Sequence, residues 1–235
     1  MFNFIKISPS ILAIDYKNEE ILTDALKKIQ NSYATFVHLD VMDGKFVPNK
    51  TFDEKFVERI KNKTDLLLDV HLMINNPEEE VEKYLKAGAD ILTVHYESCK
   101  NLLETLKTIK KYNCLAGVAI CPRTPAIKLK EILRSGLVDI VVVMGVEPGD
   151  CGRAFIPGSA EKVAEIKELC KSVEVEVDGG VTVKNSKILR KLGATILVSG
   201  STIFNSKDIN KTIKELKGKD YGLKIRKLFT KKNDN

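Results

Sequence analysis

The chain has 235 residues, 43% apolar and 30% charged, a size and balance that allow one large core and speak against a second domain. It carries no N-terminal apolar stretch with a cleavage site and no apolar run of about 18 residues, so neither a signal peptide nor a membrane span is expected and the location reads as cytoplasmic. The formal charge of +6 is unevenly placed, because positions 207–235 hold ten Lys/Arg against four Asp/Glu; the excess reads as a solvated surface, and no nucleic-acid partner is expected.

The first apolar, β-rich run is Lys6–Leu12, with Ser10 in S-P-S-I-L, and a helix-length amphipathic segment follows at Asn18–Ser32. A second strand, Phe36–Asp43, contains His38, Asp40 and Met42 and leads to a helix over Asp53–Lys63. The third, Leu66–Ile74, contains Asp69, His71 and Met73. Its helix, Pro77–Ala87, opens with Asn76-Pro77 and three glutamates, which puts proline and negative charge in a first turn. A fourth strand, Ile91–Glu97, precedes a helix at Asn101–Asn113, and a fifth, Leu115–Cys121, one at Ala126–Ser135. Val138–Val146, ending near Met144, precedes Ser159–Ser172. Val173–Gly180 carries Glu174, Glu176 and Asp178 ahead of Asn185–Leu192. The eighth strand, Ile196–Phe204, spans Gly200-Ser201 and is followed by Asp208–Lys217, beyond which a basic extension starts at about residue 218.

Eight β/α units without a Gly-x-Gly-x-x-Gly after the first strand predict a single α/β domain, a (β/α)8 TIM barrel rather than an open dinucleotide-binding sheet. The five cysteines are widely spaced and form no C-x-x-C pair, consistent with reduced thiols rather than a structural zinc site.

In such a barrel the chemistry gathers where strands end and βα loops begin. Strand residues two apart share a face, so His38 and Asp40 project together, and with His71 and Asp178 they offer two imidazoles and two carboxylates to a divalent metal ion. Zinc and iron(II) suit that mixture best; manganese and cobalt are alternatives. Parity alone does not choose the ligands, since Asp69 shares a face with His71, and Glu174 and Glu176 share one with Asp178. Those three come earlier in their strands and read as deeper, hydrogen-bonded polar residues. Thr93, His95 and Glu97 also share a face, with His95 a residue behind the ligands rather than one of them. Gly179-Gly180 and Gly200-Ser201 end the last two strands and suit a phosphate cradle. Met42, Met73 and Met144 lie near three strand ends, where thioethers would shield a charge-delocalised intermediate; taken singly, each also reads as core filler.

These blocks resemble the ribulose-phosphate 3-epimerase family from about Ile7 to Phe204: S-P-S-I-L, H-L-D-V-M-D-G-K-F-V-P-N, D-V-H-L-M, V-E-P-G, V-D-G-G-V and S-G-S-x-I-F. The resemblance implies a metal held by His38, Asp40, His71 and Asp178, with Asp40 and Asp178 doubling as the proton-transfer pair. It further implies substrate and phosphate contacts from Ser10, His71 and the turns at Gly149–Gly152, Gly179–Gly180 and Gly200–Ser201. The implied activity interconverts D-ribulose 5-phosphate and D-xylulose 5-phosphate in the pentose phosphate pathway, in a protein that is commonly a homo-oligomer.

Two segments depart from the family. Gly149-Asp150-Cys151-Gly152-Arg153 stands where it usually reads G-F-G-G-Q, so an Asp would repel a phosphate that Arg153 could attract. In Cys121-Pro122-Arg123-Thr124-Pro125, Arg123 replaces the usual glycine. Two other readings compete: a D-allulose 6-phosphate 3-epimerase, separable by relative kcat/KM on the two sugars, and a non-catalytic phosphosugar-binding barrel, separable by carbon-3 proton exchange.

Overall fold

The computed structural model describes residues 4–149 and 152–218. Eight parallel strands form one sheet: β1 Lys6–Pro9, β2 Phe36–Met42, β3 Leu67–Met73, β4 Ile91–His95, β5 Leu115–Ile120, β6 Ile140–Met144, β7 Glu174–Asp178 and β8 Ile196–Ser199. Their order runs β1-β8-β7-β6-β5-β4-β3-β2. The ring is completed between β1 and β2 by a parallel bridge from Ser10 to His38 and by the Thr35 N–H donating to the Ile7 carbonyl at 2.9 Å. This is the expected (β/α)8 barrel.

Period two governs both faces of the wall. Val37, Leu39 and Val41 of β2 and Leu68, Val70 and Leu72 of β3 join the large apolar cluster packed beneath the helices. A separate, smaller cluster of Phe36, Ile91, Ala119, Ile140, Val142, Met144 and Ile196 fills the inside of the ring. Polar side chains share that interior: Ser8, His38, Asp69, His71, Thr93, His95 and Glu176 are all wholly buried.

The helices are α1 Glu19–Gln30, α2 Glu54–Lys61, α3 Val81–Lys86, α4 Leu102–Lys111, α5 Lys130–Arg134, α6 Glu161–Leu169, α7 Val183–Leu192, α8 Ser201–Phe204 and α9 Ile209–Lys217. Asn18, Asp53 and Asp208 cap α1, α2 and α9 by accepting first-turn backbone N–H groups. Among the described residues no helix is long and apolar enough to cross a membrane.

Several elements are shorter than the sequence pattern predicts. The run expected to continue β1 to Leu12 turns into a 3-10 segment at Ile11–Ala13, and β8 stops at Ser199, where Gly200 starts α8. The helix expected over Pro77–Ala87 begins as a 3-10 turn behind Asn76, a residue in the left-handed region at φ 50°, and becomes α-helical only at Val81. The segment Ala126–Ser135 divides in the same way at Leu129. The basic extension from about residue 218 lies outside the described residues apart from Gly218.

Two half-buried aspartates staple neighbouring strands at the bottom of the barrel. Asp90 takes the Leu68 N–H at 2.7 Å and the Lys61 ammonium, and Asp139 takes the Ala116 N–H at 2.8 Å and the Lys110 ammonium. Replacing Asp139 by Ala leaves that amide and ammonium unpaired. The variant is expected to lose about 1–3 kcal/mol of stability, read as a lower urea midpoint with unchanged slope; an unchanged midpoint would show that water replaces the carboxylate at no cost.

Candidate active site

The top of the barrel holds a cavity of about 640 Å³, within the range of small-ligand pockets. Its wall includes Ser10, Asp40, Met42, Met73, Met144, Gly149, Gly152, Asp178, Gly179, Gly180, Gly200 and Ser201, so these candidate residues face one space. His38 and His71 stand behind the two aspartates with no exposed surface.

The register of the strands explains the meeting. In β2 and β3, His38 lies beside Asp69 and Asp40 beside His71, and in β6 and β7, Met144 lies beside Asp178. His38 Nε2 is 3.1 Å from Asp40 Oδ1 and 3.8 Å from Asp178 Oδ2; His71 Nδ1 is 3.4 Å from the same Asp40 oxygen and 3.5 Å from the same Asp178 oxygen. One ligand atom from each of the four residues thus falls within 4.8 Å of every other. His71 Nδ1 is buried and makes no hydrogen bond, although it lies between two carboxylates. An orphaned buried nitrogen among two carboxylates and a second imidazole makes a set that could hold a divalent cation.

The outer contacts orient this set. Asp40 turns its second oxygen to the Ser10 hydroxyl, which donates at 2.9 Å. His38 uses its other nitrogen, Nδ1, at 2.7 Å from Asp69 Oδ2, and Ser8 donates to that same oxygen at 2.8 Å. Glu174 sits lower and pairs with Lys6 at 3.1 Å. Glu176 departs from expectation: it is wholly buried, yet neither of its oxygens has a hydrogen-bond partner, and its nearest cation is His38 Nδ1 at 3.8 Å. With neither oxygen hydrogen-bonded, Glu176 avoids the cost of a buried charge by keeping its proton.

At the far side of the cavity, Gly179 and Gly180 have φ of 97° and 66°, a left-handed pair that a side chain would strain. A Cβ on Gly180 would also stand 2.6 Å from the Phe155 backbone nitrogen, so this turn is bare because the returning loop after β6 packs on it. Gly200 needs its small size for a different reason, since a Cβ there would meet Ala13 at 2.7 Å. Helix α7 starts at the same wall. Thr182 and Asn185 form a reciprocal cap, and Thr182, Lys184 and Asn185 line the cavity. These residues at the start of α7 were not among the sequence candidates, although Thr182-x-x-Asn185 one residue past the Gly179-Gly180 turn is a readable helix start and places the positive end of a helix at the cavity.

Of the departures from the family pattern, Arg153 lines the cavity, whereas Arg123 points outward and pairs with Glu147 at 3.1 Å. Asp150 and Cys151 lie outside the described residues. His95 touches the set from behind, its Nε2 at 2.9 Å from His71 Nε2, and Glu97 stands behind His95 at 3.1 Å from its Nδ1.

Comparison with known proteins gives one family: residues 6–204 match the ribulose-phosphate 3 epimerase family. The chain is 39% identical to the ribulose-phosphate 3-epimerase of Bacillus subtilis over 91% of its own length and 99% of that protein's. It is 40% identical to the chloroplastic ribulose-5-phosphate-3-epimerase of Arabidopsis thaliana over 91% and 76%. Solved structures share the fold at low identity. Examples are 3-hexulose-6-phosphate synthase from Salmonella typhimurium (16%, TM-score 0.64, covering 91% and 97%) and 3-keto-L-gulonate-6-phosphate decarboxylase from Vibrio cholerae (15%, TM-score 0.64, covering 91% and 94%).

The charges in the site are strongly interdependent. Burial disfavours an ionised His38, but the carboxylates of Asp69 and Asp40 outweigh it and raise its pKa well above 6.5. His71 is raised in the same sense by Asp178 and Asp40 against its own burial. Burial would raise Asp40, yet the two imidazoles hold it below the usual carboxylate range. Burial and the neighbouring charge of Asp69 push Glu176 far up. A raised folded-state pKa contributes stability that is complete below the unfolded value and is lost as pH climbs through the folded one. His38, His71 and Glu176 therefore all make protein stripped of metal by a chelator less stable as pH rises above 6.5. Its urea midpoint is expected to be lower at pH 9 than at pH 6.5; an equal or higher midpoint at pH 9 would contradict these protonation states.

Proposed function

The chain belongs to the ribulose-phosphate 3-epimerase family, and from that premise we propose that it interconverts D-ribulose 5-phosphate and D-xylulose 5-phosphate through two-carboxylate proton transfer at carbon 3. It is an isomerase, as its curated relatives are. The observation that carries the proposed mechanism is the convergence of Asp40 and Asp178 on one point at the cavity wall, with an imidazole behind each contact.

Inverting a carbon next to a ketone needs a base on one face and an acid on the other. Two carboxylates from β2 and β7 meet that demand, since both are barely exposed, at 5% and 8%, and open only onto the cavity. In the ribulose-to-xylulose direction Asp40 takes the proton and Asp178 returns one to the opposite face; in reverse they exchange roles. Proton transfer in this sense requires one member of the pair to be ionised while the other carries a proton. Ser10 holds the Asp40 oxygen that faces away from the ligand point. His38, Asp40, His71 and Asp178 would hold a divalent ion, which supplies Lewis-acid polarisation of the substrate's ketone worth several kcal/mol.

The remaining wall suits the rest of the substrate. The Gly179-Gly180 turn, the start of α7 and Gly200-Ser201 offer backbone N–H groups to a phosphate, with Arg153 and Lys184 as nearby cations. Gly149 and Gly152 line the same side. Met42 and Met73, packed with Val47, and Met144 give the reacting carbon an apolar, adaptable cover that excludes water from the enediolate.

Asp178→Asn keeps the shape of the side chain and removes its capacity to carry a proton. The variant is expected to fold, and to lose epimerisation by on the order of 10²–10⁴-fold or more, measured together with solvent deuterium exchange at carbon 3. Turnover near that of the unaltered protein would remove Asp178 from the mechanism.

A further inference from the structure

Behind the site runs a second line of polar groups that the proton transfer itself does not use. His71 presents Nδ1 to Asp40 and Asp178, and its other nitrogen, Nε2, lies 2.9 Å from His95 Nε2. The two rings are nearly parallel, 21° apart, and the Phe46 ring covers His95 at 4.8 Å. His95 Nδ1 is in turn 3.1 Å from Glu97 Oε2. The other Glu97 oxygen accepts the Cys121 backbone N–H at 2.8 Å and the Thr124 hydroxyl. Lys162, a buried lysine of α6, donates to the carbonyls of Cys121, Pro122 and Thr124 at 2.5–3.0 Å and pins the loop that carries both donors.

Counting hydrogens along this line leaves one arrangement. Two imidazole nitrogens at hydrogen-bonding distance need one hydrogen between them, neither none nor two. For His71 Nδ1 to offer a lone pair to a cation, the hydrogen of the neutral ring must be on Nε2, so His95 Nε2 must accept. The hydrogen of His95 is then on Nδ1 and points at Glu97, whose carboxylate can only accept. The opposite tautomer of His95 would set two N–H groups against each other or move the His71 hydrogen onto the atom that faces Asp40 and Asp178. His38 reaches its carboxylate, Asp69, directly; His71 reaches Glu97 through an imidazole.

We propose that His95 and Glu97 are positioning residues: the line His71 Nε2–H to His95 Nε2, and His95 Nδ1–H to Glu97, selects the His71 tautomer that can ligate a divalent cation. This rests on reading His38, Asp40, His71 and Asp178 as the cation site. The grouping of His95, Glu97 and Cys121 could itself be taken for a metal site. Both Glu97 oxygens, however, already hold protein donors and His95 Nδ1 faces one of them, so no orphaned atom there asks for an ion.

Glu97→Gln is the informative variant. Its amide oxygen is claimed by the Cys121 N–H and the Thr124 hydroxyl, which turns the NH₂ group toward His95 Nδ1 and forces the His95 hydrogen onto Nε2. Chelator-treated full-length protein, titrated with zinc against a competing chromophoric chelator, is expected to bind one equivalent and to lose about 10–100-fold in affinity on Glu97→Gln, the usual effect of removing such an orienting partner. Long-range ¹H–¹⁵N NMR of the zinc-loaded, unaltered protein is expected to show His95 protonated on Nδ1, a readout that does not need the variant to fold. Unchanged zinc affinity in a folded Glu97→Gln, a His95 hydrogen on Nε2 in the unaltered protein, or a second zinc equivalent would overturn the proposal. Failure of the unaltered protein to bind zinc, with His95 still protonated on Nδ1, would instead remove the cation-site reading on which it stands.

Discussion

Everything at the top of this barrel depends on holding two carboxylates closer together than their charges allow. Like unit charges about 4 Å apart repel by about 4 kcal/mol at an effective dielectric of 20, and the ligand atoms of Asp40 and Asp178 lie within 4.8 Å of each other. With both ionised, the arrangement is tenable only with positive charge between or behind them. Protonated His38 and His71 supply that charge when no ion is bound, and a divalent cation would supply it more fully. The same constraint explains why Glu176, directly below, retains its proton. A further ionised carboxyl beside Asp69 and Asp178 would have only His38 to compensate it, and His38 is already shared with Asp69 and Asp40.

The backbone makes the convergence automatic. In parallel strands of matched register, inward residues of neighbouring strands stand side by side, so His38 and Asp40 on β2 and His71 on β3 form one patch, which Asp178 meets from β7. The loops then close the site from above. Asn49 of the loop after β2 donates to the Gly149 carbonyl of the loop after β6 at 2.7 Å, and that second loop folds back on Gly180 through Phe155. The ligand set, the cover and the turns next to the phosphate side thus share packing contacts, and a change in any one loop is felt by the others.

Much of this was legible in the sequence because the strand period is two. Reading alternate residues as one face placed His38 with Asp40, His71 with Asp69 and Asp178 with Glu176, and the glycine after Asp178 marked the top of the barrel. The pattern did not reveal contacts made by residues past a strand end. Alternation put Glu97 on the face of His95, but Glu97 lies beyond β4 and is anchored by donors from the β5 loop that the pattern does not show; Lys162, on a helix, fixes that loop through three carbonyls. Such contacts have no sequence period. The reason for a bare Gly200 was likewise hidden, because it lies in Ala13, nearly the length of the chain away. The early end of β1 and the 3-10 starts behind Asn76 and Pro125 reflect local turn geometry overriding a longer hydrophobic pattern.

X-ray absorption at the zinc edge of stoichiometrically loaded protein addresses the convergence most directly, because it reads the ion's own neighbours. The expected shell holds two imidazole nitrogens and carboxylate oxygens at about 2.0–2.2 Å, with no sulfur. A scatterer at about 2.3 Å typical of a thiolate, or a shell with a single imidazole, would place the ion elsewhere and contradict it.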